Sequence, residues 1–249
     1  MTHPHLSPVR ELYVSPDAAA ALRIEAARLP AWRLVGRQAA ELVLLMNGGF
    51  APLRGYMTQS QHGAAPDAGW PVPLALQVTA DFAGRIQPGD DIALCDEGGV
   101  VAVMSVTDAW GDPVQLGGKV KGLRRPSCEG ATPDALRRLL RDRGAERVLA
   151  IQPQHSDQVA PAARMAQELD AVLLIQPLPG VAVDAPHAAI LAPLPLTPPA
   201  GSQAVLWQAM VASNHGATHL WLPDPAARER YRPHQDRIGL RMVEPDGMA

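Results

Sequence analysis

The chain has 249 residues, 47% apolar and 19% charged, with a formal net charge of −3. These values fit a globular chain and exclude a disordered one, and 22 basic against 25 acidic residues leave no positive excess to draw nucleic acid. Its 25 Pro are roughly double the usual share of about 5% and, with 21 Gly, predict many turns and short elements.

The first predicted helix starts at Ser15, a capping residue, with Pro16 at the first helical position and Asp17 beside the positive end of the dipole; residues 18–29 carry it. A second spans residues 38–46 and stops at Asn47-Gly48-Gly49, with Leu42, Leu44 and Leu45 as core. Between residues 70 and 120 short β-type runs follow at 74–78, 91–94, 100–106 and 114–116, with a hairpin turn at Glu97-Gly98-Gly99. This is a small β-rich unit.

The texture changes near residues 124–131. Thr132 caps a helix that Pro133 opens, Leu136, Leu139 and Leu140 share a face, and Gly144 ends it. Strands are predicted at Val148–Ile151, Val172–Ile175 and residues 218–222, alternating with helices at 160–169 and 201–214, where Met165 and Leu169 fit a core stripe. Such alternation predicts a parallel sheet with helices on its faces. Residues 177–201 read as irregular, apart from an apolar run near 188–192, and the last 25 residues as a surface tail.

Cys95 and Cys128 form no motif. A disulfide between them stays open, but a reduced, cytoplasmic chain is the simpler expectation. Residues 1–12 carry no signal-peptide pattern, and no run of 18 apolar residues predicts a membrane span.

Residues 45–57 read LMNGGFAPLRGYM. This resembles the LNGGFxPLxGFM signature of ATP sulfurylases, or sulfate adenylyltransferases. Further matches follow in order. Trp70-Pro71-Val72-Pro73-Leu74 is similar to the family's WPxPI; residues 89–108 to its G-DIAL-DEEG stretch; Leu116-Gly117-Gly118-Lys119-Val120 to its LGGKV; and Leu206-Trp207-Gln208-Ala209 through Asn214, Gly216, Thr218 and His219 to its LWHA…NxGCTH. The resemblance covers residues 10–222. It implies an N-terminal PUA-like β-rich domain over residues 1–126 and a Rossmann-like nucleotidyltransferase α/β domain over 127–249. The family reaction joins ATP and sulfate to give adenylyl sulfate and pyrophosphate.

That reaction needs cationic donors where charge builds on phosphate oxygens. The family carries them after the first α/β strand, as Q-T-R-N-P-x-H-x-x-H. Here the loop reads Gln152-Pro153-Gln154-His155-Ser156-Asp157-Gln158. Gln152 is kept, Gln154 takes the Arg position, His155 the Asn position, and the His pair is absent. In the MRxAGPREA segment the Arg positions hold Pro198 and Gln203; the His after the second strand is Gln176; and the GRDHAG loop corresponds to Pro223-Asp224-Pro225-Ala226-Ala227. The stretch between residues 180 and 192 is shorter than in the family, which has a further helix there, and the family's third region has no counterpart.

No catalytic residue is therefore assigned. Gln152, Gln154, His155 and Gln176 are the candidate remnant of a nucleotide or anion pocket. No cofactor and no metal are expected. The favoured reading is a catalytically impaired homologue in sulfur metabolism that binds adenine nucleotide or adenylyl sulfate, or a partner, as a homo- or hetero-oligomer. The alternatives are an active sulfate adenylyltransferase, an enzyme with a shifted substrate, and RNA binding through the PUA-like domain. Composition opposes the last, and no nucleic acid or membrane partner is expected.

Other motifs weigh less. Gly117-Gly118-Lys119 lacks the spacing of a phosphate loop. His215 and His219 stand at metal-ligand spacing without a supporting carboxylate, so core or surface histidines are expected. Ser156 and Ser202 lack a nucleophile context, and His3 and His5 read as terminal and solvated. Arg137, Arg138, Arg141 and Arg143 read as a solvated basic face.

Overall fold

The computed structural model describes residues 4–64, 72–125 and 132–244. The chain divides into two compact units, one of Arg10–Ser127 and one joining Met1–Val9 to Cys128–Ala249. Cys128, Trp70 and Pro71 lie outside the described residues.

In the first unit, Ser15 accepts from the Ala18 N–H at 3.4 Å and opens α1 (Pro16–Ala26). After β1 (Ala31–Arg33) comes α2 (Gly36–Met46), which starts two residues earlier than predicted. The Gln38 side chain folds back there and accepts from the Val35 N–H (3.3 Å) and from Trp32 Nε1 (3.1 Å). Then follow β2 (Gly55–Tyr56), α3 (Gln59–Gly63), β3 (Leu76–Gln77), α4 (Ala80–Ala83), β4 (Asp91–Asp96), β5 (Gly99–Trp110) and β6 (Gln115–Gly122). The sheet order is β1-β4-β5-β6-β2, with β3 also on β6. β1 runs parallel to β4 and the other pairs are antiparallel.

Gly117 and Gly118 lie inside β6, beyond the end predicted for that strand. A Cβ on Gly117 would sit 2.1 Å from the Met57 carbonyl oxygen, and one on Gly118 2.1 Å from that of Ser105. These glycines let neighbouring backbones meet, which is a packing role and not a phosphate loop.

In the second unit, Thr132 accepts from the Ala135 N–H at 3.3 Å and caps α5 (Pro133–Asp142). The order is then β7 (Val148–Ile151), α6 (Val159–Glu168), β8 (Val172–Ile175), β9 (Ile190–Leu191), α7 (Ala204–Asn214), β10 (His219–Trp221), α8 (Pro225–Tyr231), α9 (Gln235–Ile238) and β11 (Arg241–Val243). All five strands are parallel, in the order β11-β10-β7-β8-β9. Val148, Ala150 and Leu220 pack with Leu136 and Leu140 of α5 and Val205 and Ala209 of α7. Leu149, Ile151 and Trp221 face the other way, toward Val159, Ala162 and Met165 of α6. Alternate residues of each strand thus meet helices on opposite sides. Residues 176–189, between β8 and β9, form no helix.

Two expectations are corrected. Residues 225–243 are no surface tail: β11 extends the parallel sheet, and Tyr231 is fully buried with its hydroxyl donating to the Leu240 carbonyl at 2.6 Å. The start of the chain also belongs to the second unit and not to the first. Leu6 is fully buried against the α5 core, and Arg137 Nη1 donates to the Ser7 carbonyl at 2.6 Å. No helix among the described residues is long and apolar enough to cross a membrane.

Candidate functional site

Strand order reverses between β7 and β10. From β7 the chain proceeds to the β8 side, and from β10 to the β11 side. Loops leaving the carboxyl ends of two such strands diverge and open a crevice, the usual ligand position in an open parallel sheet. A cavity of about 590 Å³ lies there. Gln152, Gln154 and Gln158 line it from the loop after β7, residues 197–201 and Gln208 from the approach to α7 and its body, and Trp221 to Asp224 from the end of β10. Arg230 of α8 completes it.

Gln152 leaves β7 directly into this crevice. Its Nε2 donates to Gln176 Oε1 at 3.1 Å and to the Gln208 carbonyl at 3.2 Å. Gln176 sits at the matching exit of β8, fully buried behind Gln152. Gln152 Oε1, Gln176 Nε2 and Trp221 Nε1 are buried without a hydrogen-bond partner. Such groups normally find one, so three together mark a site that carries a cost in the free protein.

Gln154 lines the cavity, with its backbone N–H donating to Gln158 Oε1 at 2.7 Å. The His155 N–H reaches the same oxygen at 3.4 Å, but His155 is exposed and does not line the cavity. The Gln158 side chain ties the loop to itself. Of the four residues singled out in the sequence, three therefore meet in or behind the crevice and His155 stands outside it.

The electrostatics are sparse. Among the described lining residues Arg230 is the sole cation and Asp224 the sole acid. Asp224 Oδ1 accepts from the Ala226 N–H at 3.0 Å and caps α8. The turn leading into α7 begins at Gly201, after Ala200, which offers no capping side chain. Ala200, Gly201 and Ala204 of that helix entrance line the cavity, and the Ala204 N–H donates to the Gly201 carbonyl. Sequence reading missed Trp221, Gln208 and Arg230. Asp224-Pro225, a capping residue followed by Pro, was the available signal for α8.

The two histidines at metal-ligand spacing form no such site. His215 is buried, with Nδ1 2.7 Å from the Val211 carbonyl, and burial pushes its pKa down to about 4. His219 Nδ1 lies 2.8 Å from Thr218 Oγ1, and burial, then Arg241 and Arg147, lowers its pKa. The described residues contain no cluster of three or more His, Cys, Asp or Glu able to hold a metal ion.

The basic face of α5 is also only partly solvated. Arg137 is buried and donates to the carbonyls of Asn214 (2.9 Å) and Ser213 (2.8 Å) at the end of α7 as well as to Ser7. Desolvation lowers its pKa to about 10. Arg141 holds the Leu6 carbonyl, and Arg138 pairs with Asp134 at 2.9 Å.

Comparison with known proteins follows the same outline. A family model described as a PUA-like domain matches residues 2–116. The sulfate adenylyltransferase of Eremothecium gossypii is 27% identical, covering 88% of this chain and 57% of that protein. The Saccharomyces cerevisiae sulfate adenylyltransferase is 26% identical over 76% of the chain and 49% of its own length. That of Desulforamulus reducens is 31% identical over 39% of the chain and 27% of its length. Among solved structures, the one titled hexameric APS kinase from Thiobacillus denitrificans superposes with a TM-score of 0.81 at 30% identity, over 95% of this chain and 55% of that one. The chain spans about half the length of the Eremothecium gossypii and Saccharomyces cerevisiae proteins.

Proposed function

Since the chain belongs to the ATP sulfurylase (sulfate adenylyltransferase) family, we propose that it serves sulfur metabolism as a nucleotide-binding homologue that does not transfer an adenylyl group. The parallel-sheet unit is the nucleotidyltransferase-type domain in this reading, and the crevice between β7 and β10 is its ligand site. Gln152 and Gln154 line that site and Gln176 backs it. His155 serves the loop and not the ligand.

One observation carries the reading: a cavity at the strand-order reversal whose described lining offers one cation, Arg230, against one acid, Asp224. Adenylyl transfer between ATP and sulfate gathers several negative charges on one phosphorus. Losing one preorganised donor to such a centre costs about 2.7–4 kcal/mol, or 10²–10³ in rate. The positions that resemble the family's cationic motifs hold Gln154, Pro198, Gln203 and Gln176. Even with strong non-additivity, four losses leave little of the acceleration.

The test is pyrophosphate release from ATP and sulfate by the purified chain, beside isothermal titration with ATP and AMP. The expected result is nucleotide binding with release at the buffer background. Sulfate-dependent pyrophosphate release would overturn the loss of transfer. Absence of binding by either nucleotide would overturn the ligand site. Self-association is part of the proposal, since a hexameric neighbour shares the fold; light scattering on a sizing column tests it, and a monomer at all concentrations would remove it. The expected location is the cytoplasm.

A further inference from the structure

The family resemblance leads to the loop after β7 and the segment before α7, and both have lost their cations. Arg230 comes from elsewhere, on α8, and reaches the same cavity. Its neighbours are engaged otherwise. Arg228 Nη1 donates to the carbonyls of Leu222 and Pro223, each at 3.0 Å, and Arg228 faces Glu244 at 3.6 Å. Arg232 approaches the same carboxylate at 3.8 Å. Residues two apart on a helix point to opposite sides, so Arg230 faces the crevice while Arg228 and Arg232 face Glu244.

Two independent features of the crevice complement Arg230. The turn that begins at Gly201 and leads into the 11-residue α7 has no side-chain cap and presents its entrance to the cavity. Such an end carries roughly half a positive charge and free N–H donors. Gln152 and Trp221, 8% and 6% exposed, line the cavity, and each carries a buried polar atom without a partner, the acceptor Gln152 Oε1 and the donor Trp221 Nε1. They suit a neutral body that both donates and accepts. Against these stands the Asp224 carboxylate. The fixed charge sums to about +0.5 with the helix end included, so it favours the ligand with the fewest anionic groups. It offers nothing to the second and third phosphates of a triphosphate, which Asp224 would repel.

We propose that the crevice selects a ligand with one phosphate-type group on a neutral hydrogen-bonding body, the class of a nucleoside 5′-monophosphate, and that Arg230 sets this preference. The proposal rests on the crevice being the ligand site. Arg230 acts by direct contact with the anion, where a planar guanidinium can donate twice.

The experiment is titration calorimetry of the full chain at low ionic strength with AMP, ATP and inorganic phosphate, for the wild type, Arg230→Gln and Arg232→Gln. Arg232→Gln removes the same charge outside the cavity. AMP is expected to bind more tightly than ATP or phosphate. Arg230→Gln is expected to weaken AMP about tenfold or more, and Arg232→Gln less than about threefold. Circular dichroism verifies that both variants are folded. ATP binding more tightly than AMP, or equal effects of the two substitutions, overturns the proposal while leaving the crevice as ligand site. Failure of both nucleotides to bind the folded wild type removes the site itself and the proposal with it.

Discussion

Gln152 donates from Nε2 to Gln176 Oε1 across 3.1 Å, joining the exits of β7 and β8 beneath the crevice. Each amide keeps one buried atom without a partner. Gln176→Ala removes the acceptor and leaves a void, and is expected to cost about 2–3 kcal/mol in urea denaturation. Replacing both residues by Met is expected to be neutral within about 1 kcal/mol or stabilising, because the pair's own two orphaned atoms are removed together. The same double variant should bind AMP more weakly than the wild type in calorimetry. Unchanged affinity would separate the pair from ligand recognition.

Arg137 spans Ser7, Ser213 and Asn214 with three carbonyl contacts. Arg137→Met keeps the aliphatic stem but strips these acceptors, and is expected to lower stability by about 3 kcal/mol or more, read as a fall in thermal midpoint. Arg137→Lys should recover little of it, because an ammonium cannot fork to three sites. Hydrogen exchange over residues 4–9 should rise in both variants.

His215 sets an acid limit. Burial holds its folded pKa near 4, below the unfolded value of 6.5, so the unfolded chain binds the extra proton between those values. Stability contributed by the neutral imidazole is complete above about pH 6.5 and is lost as pH falls toward 4. The loss approaches about 3 kcal/mol at the lower end. Denaturation curves between pH 7 and 4 measure it. His215→Gln is expected to flatten that slope while lowering stability at neutral pH.

Gly118→Ala is expected to cost about 3 kcal/mol or more, because the new methyl would collide with the Ser105 backbone across the sheet. Gly36→Ala at the start of α2 meets nothing within 4 Å and is expected to gain up to about 1 kcal/mol. Chemical denaturation of the two variants side by side checks both signs.

The parallel sheet was legible where its strands are continuous apolar runs, as in Val148–Ile151 and Val172–Ile175, which buried parallel strands require. Ser15-Pro16 and Thr132-Pro133 marked their helices through capping chemistry that is local in sequence. β11 was not legible: three residues beginning at Arg241 carry no periodicity, and only the neighbouring β10 makes them a strand. The predicted run stops at residue 116, short of Gly117 and Gly118, because the reason for those glycines lies in Met57 and Ser105, far from them along the chain. In the crevice, Gln152 could be placed because it ends a strand. His155 could not, since each step along a turning loop redirects the side chain. Arg230 was hidden by the assignment of its segment to a tail.

The burial of Leu6 against Leu136 and Leu140 has a consequence for the order of assembly. The arm that carries Leu6 is made before α5 exists, and its anchoring carbonyl at Ser7 lies 130 positions from Arg137. Closing so long a loop costs about 2 kcal/mol more than closing one of ten residues. A chain starting at residue 10 would lose that arm: Leu136 and Leu140 would keep their packing on Val148 and Ala150, and the end of α7 its contact with Arg137, but the Leu6 socket would stand open.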